Sequence, residues 1–140
     1  MSSDDELAPS TLLFSYGTLQ TGERAHHHLS SAKYLGDVRT IESFLLVDCG
    51  QFPGLVAAPS SPSASPIFGE LYQVPDHLWP ALDDYEGVHL GEYRRTQIRI
   101  IDADQQEKTV QAYLWAQQWT HLPVVGSSWK TYRQRHFPTA

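Results

Sequence analysis

The sequence contains a single cysteine, Cys49, in 140 residues, so no intramolecular disulfide can form. That scarcity is typical of proteins in reducing compartments. The chain starts with MSSDDELAPS, which is acidic and polar and lacks the basic and apolar stretches of a signal peptide. We therefore expect a cytoplasmic protein.

Basic residues and long apolar runs are also scarce. The chain has 10 Lys and Arg against 16 Asp and Glu, a net charge of -6, and no stretch concentrates the positive charge that a phosphate backbone attracts. The apolar runs, such as 11–14 and 67–74, are too short or too interrupted to span a bilayer. We expect no nucleic acid and no membrane among its partners, and the sequence does not indicate an oligomeric state.

The remaining pattern is one of short strands. Residues 1–10 lack apolar periodicity and are predicted to form a disordered tail, followed by a single domain over 11–140. The alternation in 94–101 and the polar stretch 102–106 predict a hairpin. Runs of β-forming residues predict seven strands, over 12–16, 34–39, 43–47, 55–58, 67–74, 93–101 and 108–115.

Helical signals are fewer. We predict short helices over 24–32, 79–86 and 127–136, the second with Pro80 in its first turn and Gly87 after its end. Many short strands with few helices predict an α+β protein. Its expected core is a small mixed, mostly antiparallel barrel of about six or seven strands with short helices packed outside.

The first candidate site is the turn at Gly17, where the apolar run LLFSY passes into a helical segment. A strand that ends in such a turn can point successive backbone N–H groups at a carboxylate or carbonyl oxygen. The turn lacks the lysine and glycine repeats of a phosphate loop. An ordinary strand-to-helix turn therefore remains the simpler interpretation of this segment alone.

The second candidate is the segment LDDYEG, residues 82–87. Asp83 and Asp84 lie off the apolar stripe of the helix and are expected in solvent. Glu86 stands at the helix C-terminus, where the helix dipole and any burial raise a carboxyl pKa and suit it to general acid/base catalysis. The alternative is a surface glutamate beside a capping glycine.

The two segments together resemble the γ-glutamylcyclotransferase-like family, and its γ-glutamylamine cyclotransferase branch is the most similar. YGTL follows the first strand, LDDYEG comes later, and a strand beginning EYRR follows it. GQFPGLV, IFGELYQV and VQAYLW also resemble segments of the family, in the expected order. The resemblance covers residues 12–115 and leaves the segment after Trp115 without an assigned role.

The resemblance implies a role for individual residues. Glu86 would be the catalytic acid/base. The α-carboxylate and amine end of a γ-glutamyl group would be held by backbone groups of Tyr16, Gly17, Thr18 and Leu19. Further substrate-binding positions around the pocket would be Pro53, Gly54, Tyr93 and Tyr113.

The implied reaction closes the γ-glutamyl group of a small amine or amino acid into 5-oxoproline. It requires no cofactor and no metal, because the attacking amine and the carbonyl are tethered in one molecule. Two alternatives stay open: a binding module of the same fold without turnover, and a hydrolase of a related amide. The amine half of the substrate is not indicated by the sequence.

The adjacent histidines and the single cysteine give weaker indications of function. His26, His27 and His28 are adjacent, and neighbouring residues of a helix point about 100° apart, so the three do not converge on one metal ion. Cys49 has no histidine at a spacing that indicates a nucleophile pair. We interpret the histidines as a helix surface and the cysteine as part of the packing.

Overall fold

The structure of the protein is a computed structural model that describes residues 12–137. The tail predicted for 1–10 lies outside the described residues. Within the described range the helices are α1 (Trp79–Tyr85) and α2 (Trp129–His136). The strands are β1 (Leu12–Ser15), β2 (Lys33–Thr40), β3 (Leu45–Asp48), β4 (Pro53–Val56), β5 (Phe68–Gln73), β6 (Tyr93–Ile101) and β7 (Glu107–Trp115).

A closed barrel forms the centre of the molecule, with strand order β1-β5-β2-β6-β7. A parallel contact between β1 and β7, Leu13 opposite Gln111, closes it, and the other strand pairs are antiparallel. The predicted hairpin is β6 and β7, paired from Tyr93 opposite Trp115 to Ile101 opposite Glu107. The structure confirms the mixed, mostly antiparallel α+β barrel.

The predicted number of barrel strands was wrong. The barrel has five strands because β3 and β4 pair with each other in a separate sheet. Every residue of both strands is buried. The segment after Trp115 covers them, and the N–H groups of Asp48 and Val125 donate to Pro123 (2.9 Å) and Leu46 (2.8 Å). Strands enclosed in this way have no polar face, so their sequence does not indicate which sheet they join.

Apolar side chains form two main clusters on opposite faces of the barrel wall. Phe14, Leu71 and Ile100 belong to the cluster that also contains Trp129 of α2. Leu13, on the other face of β1, packs in the cluster that contains Leu82 of α1. Because side chains alternate along a strand, β1 supports both the barrel core and the helix that carries the acidic segment.

The helix predictions were right for two segments and wrong for one. Helix α1 begins at Trp79 and ends before Glu86, with Gly87 in the left-handed conformation at φ 69°. Helix α2 begins after Ser128, whose side chain accepts a hydrogen bond from Thr131 N. The helix predicted over 24–32 is only a 3-10 turn, His26–Leu29, since histidine and serine are weak helix formers. None of the helices in residues 12–137 is long and apolar enough to cross a membrane.

Candidate active site

A cavity of about 200 Å³ opens between the turn after β1 and the end of α1. The turn and the helix are far apart in the sequence, and the barrel brings them together. Thr18 Oγ1 and Tyr85 Oη are 3.2 Å apart and join the two walls. The sequence-predicted residues that line the cavity are Tyr16, Gly17, Thr18, Leu19, Pro53, Glu86, Tyr93 and Tyr113.

The turn holds its shape through its carbonyl groups. Gly17 O accepts from Gln20 N (3.1 Å), Thr18 O accepts from Ala25 N (3.0 Å), and Leu19 O pairs with His26 Nδ1 at 2.9 Å. The N–H groups of Gly17, Thr18 and Leu19 have no acceptor among residues 12–137. The turn therefore has a fixed backbone with unused donors, an arrangement that suits an anion.

Gly17 is required by a close approach to Pro53. A Cβ placed on Gly17 would lie 2.6 Å from Pro53 Cγ and 3.0 Å from Pro53 Cδ. Those distances are too short for any larger residue unless the backbone moves. Glycine at position 17 thus lets β4 pack directly against the turn and bring Pro53 to the cavity.

Three buried tyrosines fix the floor of the cavity. Tyr16 Oη donates to Tyr113 O (2.5 Å) and accepts from Leu55 N (3.2 Å). Tyr93 Oη donates to Pro53 O at 2.5 Å. Burial is the main cause that raises the pKa of Tyr16, Tyr93 and Tyr113. These hydroxyls therefore stay protonated and act as hydrogen-bond donors at neutral pH.

Glu86 directly follows the last residue of α1, lines the cavity and is partly buried. Burial, followed by the charges of Asp83 and Glu92, raises the pKa of Glu86 to about 8. Its carboxyl group has no hydrogen-bond or ion-pair partner in the described part of the chain. A carboxyl of this kind can both accept and return a proton near neutral pH.

The structure corrects the expectation that Asp83 is solvated. Asp83 Oδ1 accepts a hydrogen bond from Tyr113 Oη at 2.6 Å and forms an ion pair with Arg95 Nε at 3.3 Å. The side chain is 30% exposed, whereas that of Asp84 is 79% exposed. The positions of the two aspartates on the helix place both off its apolar stripe, but the Tyr113 hydroxyl on β7 donates to Asp83. Asp83 therefore links α1 to the cavity floor.

Gly54 was predicted at the pocket, but it is not among the lining residues. It packs under Trp115, whose Cβ would be 2.7 Å from a Cβ added to Gly54. In a strand, neighbouring residues face opposite sides, which explains why Pro53 reaches the cavity and Gly54 does not.

Sequence reasoning missed several cavity residues. Ser15 and Arg24 flank the predicted turn, and Phe52 precedes Pro53. Ser15 is buried, and its Oγ has no hydrogen-bond partner within residues 12–137. The only available signal was their closeness in sequence to YGTL and FPG.

The histidines and the cysteine have structural contacts. The rings of His28 and Tyr85 pack in a tilted arrangement with centroids 4.3 Å apart. Among the described residues no group of His, Cys, Asp and Glu is arranged to hold a metal ion. Burial, with the charge of Asp48, raises the pKa of Cys49 to about 12, so its thiol is not activated as a nucleophile.

Comparison with known proteins now identifies the family. Residues 13–131 match the model of the family described as gamma-glutamyl cyclotransferase, AIG2-like. The chain belongs to this family. It is accordingly an enzyme of the γ-glutamylcyclotransferase kind, as the YGTL and LDDYEG segments indicated.

Individual relatives of this γ-glutamylcyclotransferase-type enzyme support the same family assignment. It is 30% identical over 134 residues to gamma-glutamylaminecyclotransferase from Bos taurus, covering 88% of this chain and 76% of the relative. The Rattus norvegicus protein of the same name is 31% identical, covering 79% and 84%. The crystal structure of an AIG2-like protein from Mus musculus superposes with a TM-score of 0.73 at 28% identity, covering 84% and 86%.

Proposed function

We propose that the enzyme cyclises the γ-glutamyl group of a small γ-glutamyl amine or amino acid to 5-oxoproline, with Glu86 as general acid/base. One observation carries the proposal. Glu86, whose pKa is about 8, lines the same cavity as a turn, residues 17–19, with three backbone N–H groups that have no acceptor in the described chain. The names of the Bos taurus and Rattus norvegicus relatives support the same chemistry.

The turn supplies the anchor in this proposal. The α-carboxylate of the γ-glutamyl group accepts hydrogen bonds from the N–H groups of 17–19, as anions do at comparable backbone turns. Glu86 on the facing wall is then available to the reacting nitrogens.

The reaction is an internal aminolysis. The α-amine nitrogen attacks the γ-carbonyl carbon, a new C–N bond closes a five-membered ring, and the bond from that carbon to the amine half breaks. The α-nitrogen loses two protons: Glu86 takes one from the α-ammonium and delivers it to the departing nitrogen, and the second, lost as the ring closes, ends on the released amine, which becomes an ammonium ion. The atoms balance without a further reactant, and the tether between nucleophile and carbonyl lowers the entropic barrier.

The pKa of Glu86 suits this cycle. A carboxyl with the ordinary pKa of about 4.3 would be a weak base at neutral pH. With a pKa of about 8, Glu86 binds a proton strongly enough to remove it from an ammonium group. It can also release that proton to a developing amine in the same turnover.

Product analysis tests the proposal. The protein is incubated with γ-glutamyl amino acids and γ-glutamylamines, including γ-glutamyl-ε-lysine, and the products are separated and quantified. We expect 5-oxoproline and the free amine in equal amounts. Release of glutamate would instead indicate hydrolysis, and binding without conversion would indicate a binding module. Either result would contradict cyclisation.

A further inference from the structure

One cation stands at the cavity, and the reaction above does not use it. Arg24 is the only Lys, Arg or His among the cavity-lining residues that the structure describes. Its side chain is exposed and has no hydrogen bond or ion pair with any of residues 12–137. Arg24 is therefore an exposed residue of the cavity lining whose charge is unpaired by that part of the chain.

The backbone that carries Arg24 is held in place. Ala25 N donates to Thr18 O at 3.0 Å. Thr21 N donates at 2.8 Å to the buried carboxylate of Glu70. These bonds fix the backbone of the segment relative to the turn at residues 17–19, so the Arg24 side chain starts from a fixed point beside the proposed anchor.

Within residues 12–137, the carboxylates close to Arg24 in the sequence or at the cavity do not form an ion pair with it. Glu23 is buried and pairs with Arg133 Nε at 2.8 Å. The charges that shift the pKa of Glu86 are those of Asp83 and Glu92. Arg24 is thus not a counter-ion of Glu86, and its charge is available to an anionic group of a bound molecule.

The size of the cavity indicates which part of a substrate reaches Arg24. A volume of about 200 Å³ is below the roughly 300–1,000 Å³ of sites that enclose drug-sized ligands, and suits a group the size of one amino acid. With the γ-glutamyl group inside, between the turn and Glu86, the amine half extends to the exposed mouth.

We propose that Arg24 binds a carboxylate on the amine half, so that the preferred substrates are γ-glutamyl amino acids and not γ-glutamylamines that lack an acid group. This inference rests on the proposed cyclisation. Arg24 binds substrate and is a specificity residue, while Glu86 moves the proton. A guanidinium pairs with a carboxylate through two parallel hydrogen bonds, which gives it selectivity for that group.

Two substrates that differ only in the carboxylate test the inference. γ-Glutamylalanine and γ-glutamylethylamine share the same γ-glutamyl group and the same two carbons next to the leaving nitrogen. We expect the wild type to have about 10-fold higher kcat/KM for γ-glutamylalanine, mainly through KM. Arg24→Gln should remove this preference by lowering kcat/KM for γ-glutamylalanine about 10-fold. Arg24→Lys should retain part of the preference.

The matched control is Arg135→Gln, an equal change of charge at an exposed position outside the cavity lining; it should keep the wild-type preference. Equal wild-type rates on the two substrates would overturn the role of Arg24 alone. An equal loss on both substrates in Arg24→Gln would also overturn it, because the arginine would then act on the γ-glutamyl half. Absence of 5-oxoproline from every compound would instead overturn the proposed cyclisation itself.

Discussion

The two walls of the cavity use different parts of the chain. The turn at residues 17–19 offers backbone N–H groups, and its carbonyls hold the turn in shape. The end of α1 offers one side chain, Glu86, whose surroundings raise its pKa to about 8. The first wall should therefore tolerate new side chains but no shift of its backbone. At the second wall, replacing one oxygen of the Glu86 carboxyl group should be enough to change the activity.

The largest effect is expected on the side-chain wall. Glu86→Gln keeps the size of the side chain but removes the group that takes up a proton. We expect 5-oxoproline formation to fall about 10²–10⁴-fold, near the upper end because one group serves both nitrogens. Substrate affinity should change little. Initial rates and isothermal titration with γ-glutamylalanine measure the two quantities.

Asp84→Asn is the control for this variant, since Asp84 lies two residues away on the same segment and is 79% exposed. It should keep the wild-type rate. A Glu86→Gln protein that folds and retains that rate would show that Glu86 is not the base. The end of α1 would then not supply the group that moves the proton.

The backbone wall should fail when its position changes. Gly17→Ala would place a methyl group 2.6 Å from Pro53 Cγ, so the turn or β4 must move. We expect kcat/KM to fall by up to about 100-fold, because small misplacements of a binding group have effects of that order. Steady-state kinetics measure the loss, which should lie mainly in KM.

A side-chain change in the same turn provides the comparison. Leu19→Met keeps the volume of a buried residue and leaves the backbone donors in place. Such replacements cost less than about 1.5 kcal/mol of stability, and KM should stay near the wild-type value. Should Leu19→Met raise KM as much as Gly17→Ala, the turn does not bind through its backbone.

The raised pKa of Glu86 also predicts a pH-dependent stability. Because the folded-state pKa, about 8, exceeds that of the unfolded chain, Glu86 makes a contribution to the free energy of unfolding that is fully present below about pH 4.5. That contribution is lost as the pH rises toward 8. Glu86→Gln should be more stable than the wild type by a few kcal/mol at pH 9, less than the full shift because Glu86 is partly exposed. Urea unfolding of both proteins should show no difference at pH 4.

The sequence predicted the parts of the fold that depend on local pattern. The alternation in 94–101 predicted the β6–β7 hairpin, and Pro80 and Gly87 bounded α1. The assignment of β3 and β4 to the barrel failed because continuous burial gives no alternation to interpret. The segment after Trp115, which covers β3, carries no strand pattern of its own.

The site divides in the same way. Tyr16 to Leu19 and Glu86 were predicted from their positions at the ends of a strand and a helix, together with the family resemblance. Asp83 and Arg24 were not, because their importance depends on neighbours distant in the sequence. Asp83 gains its role from Tyr113 at 2.6 Å. Arg24 gains its position from the bond between Ala25 and Thr18.

Asp83 offers the finest comparison within the side-chain wall. It raises the pKa of Glu86 by its charge, while its oxygen holds Tyr113. Asp83→Asn removes the charge and keeps an acceptor for Tyr113, so the acid limb of the kcat/KM profile should move to lower pH. A part-exposed ion pair such as Asp83–Arg95 contributes only about 0.2–1 kcal/mol to stability, so the variant should stay folded, and its maximal rate should fall far less than that of Glu86→Gln.

The pH profile separates a tuning role from a purely structural one. If Asp83 only supports Tyr113, Asp83→Asn should lower the rate equally at every pH and leave the limb in place. If it tunes Glu86, the limb moves in Asp83→Asn and stays at the wild-type pH in Asp84→Asn, whose carboxylate is exposed and does not shift the pKa of Glu86. Profiles of kcat/KM between pH 5 and 10, which report the free enzyme, decide between the two. An unmoved limb in Asp83→Asn would leave burial and Glu92 as the causes of the raised pKa.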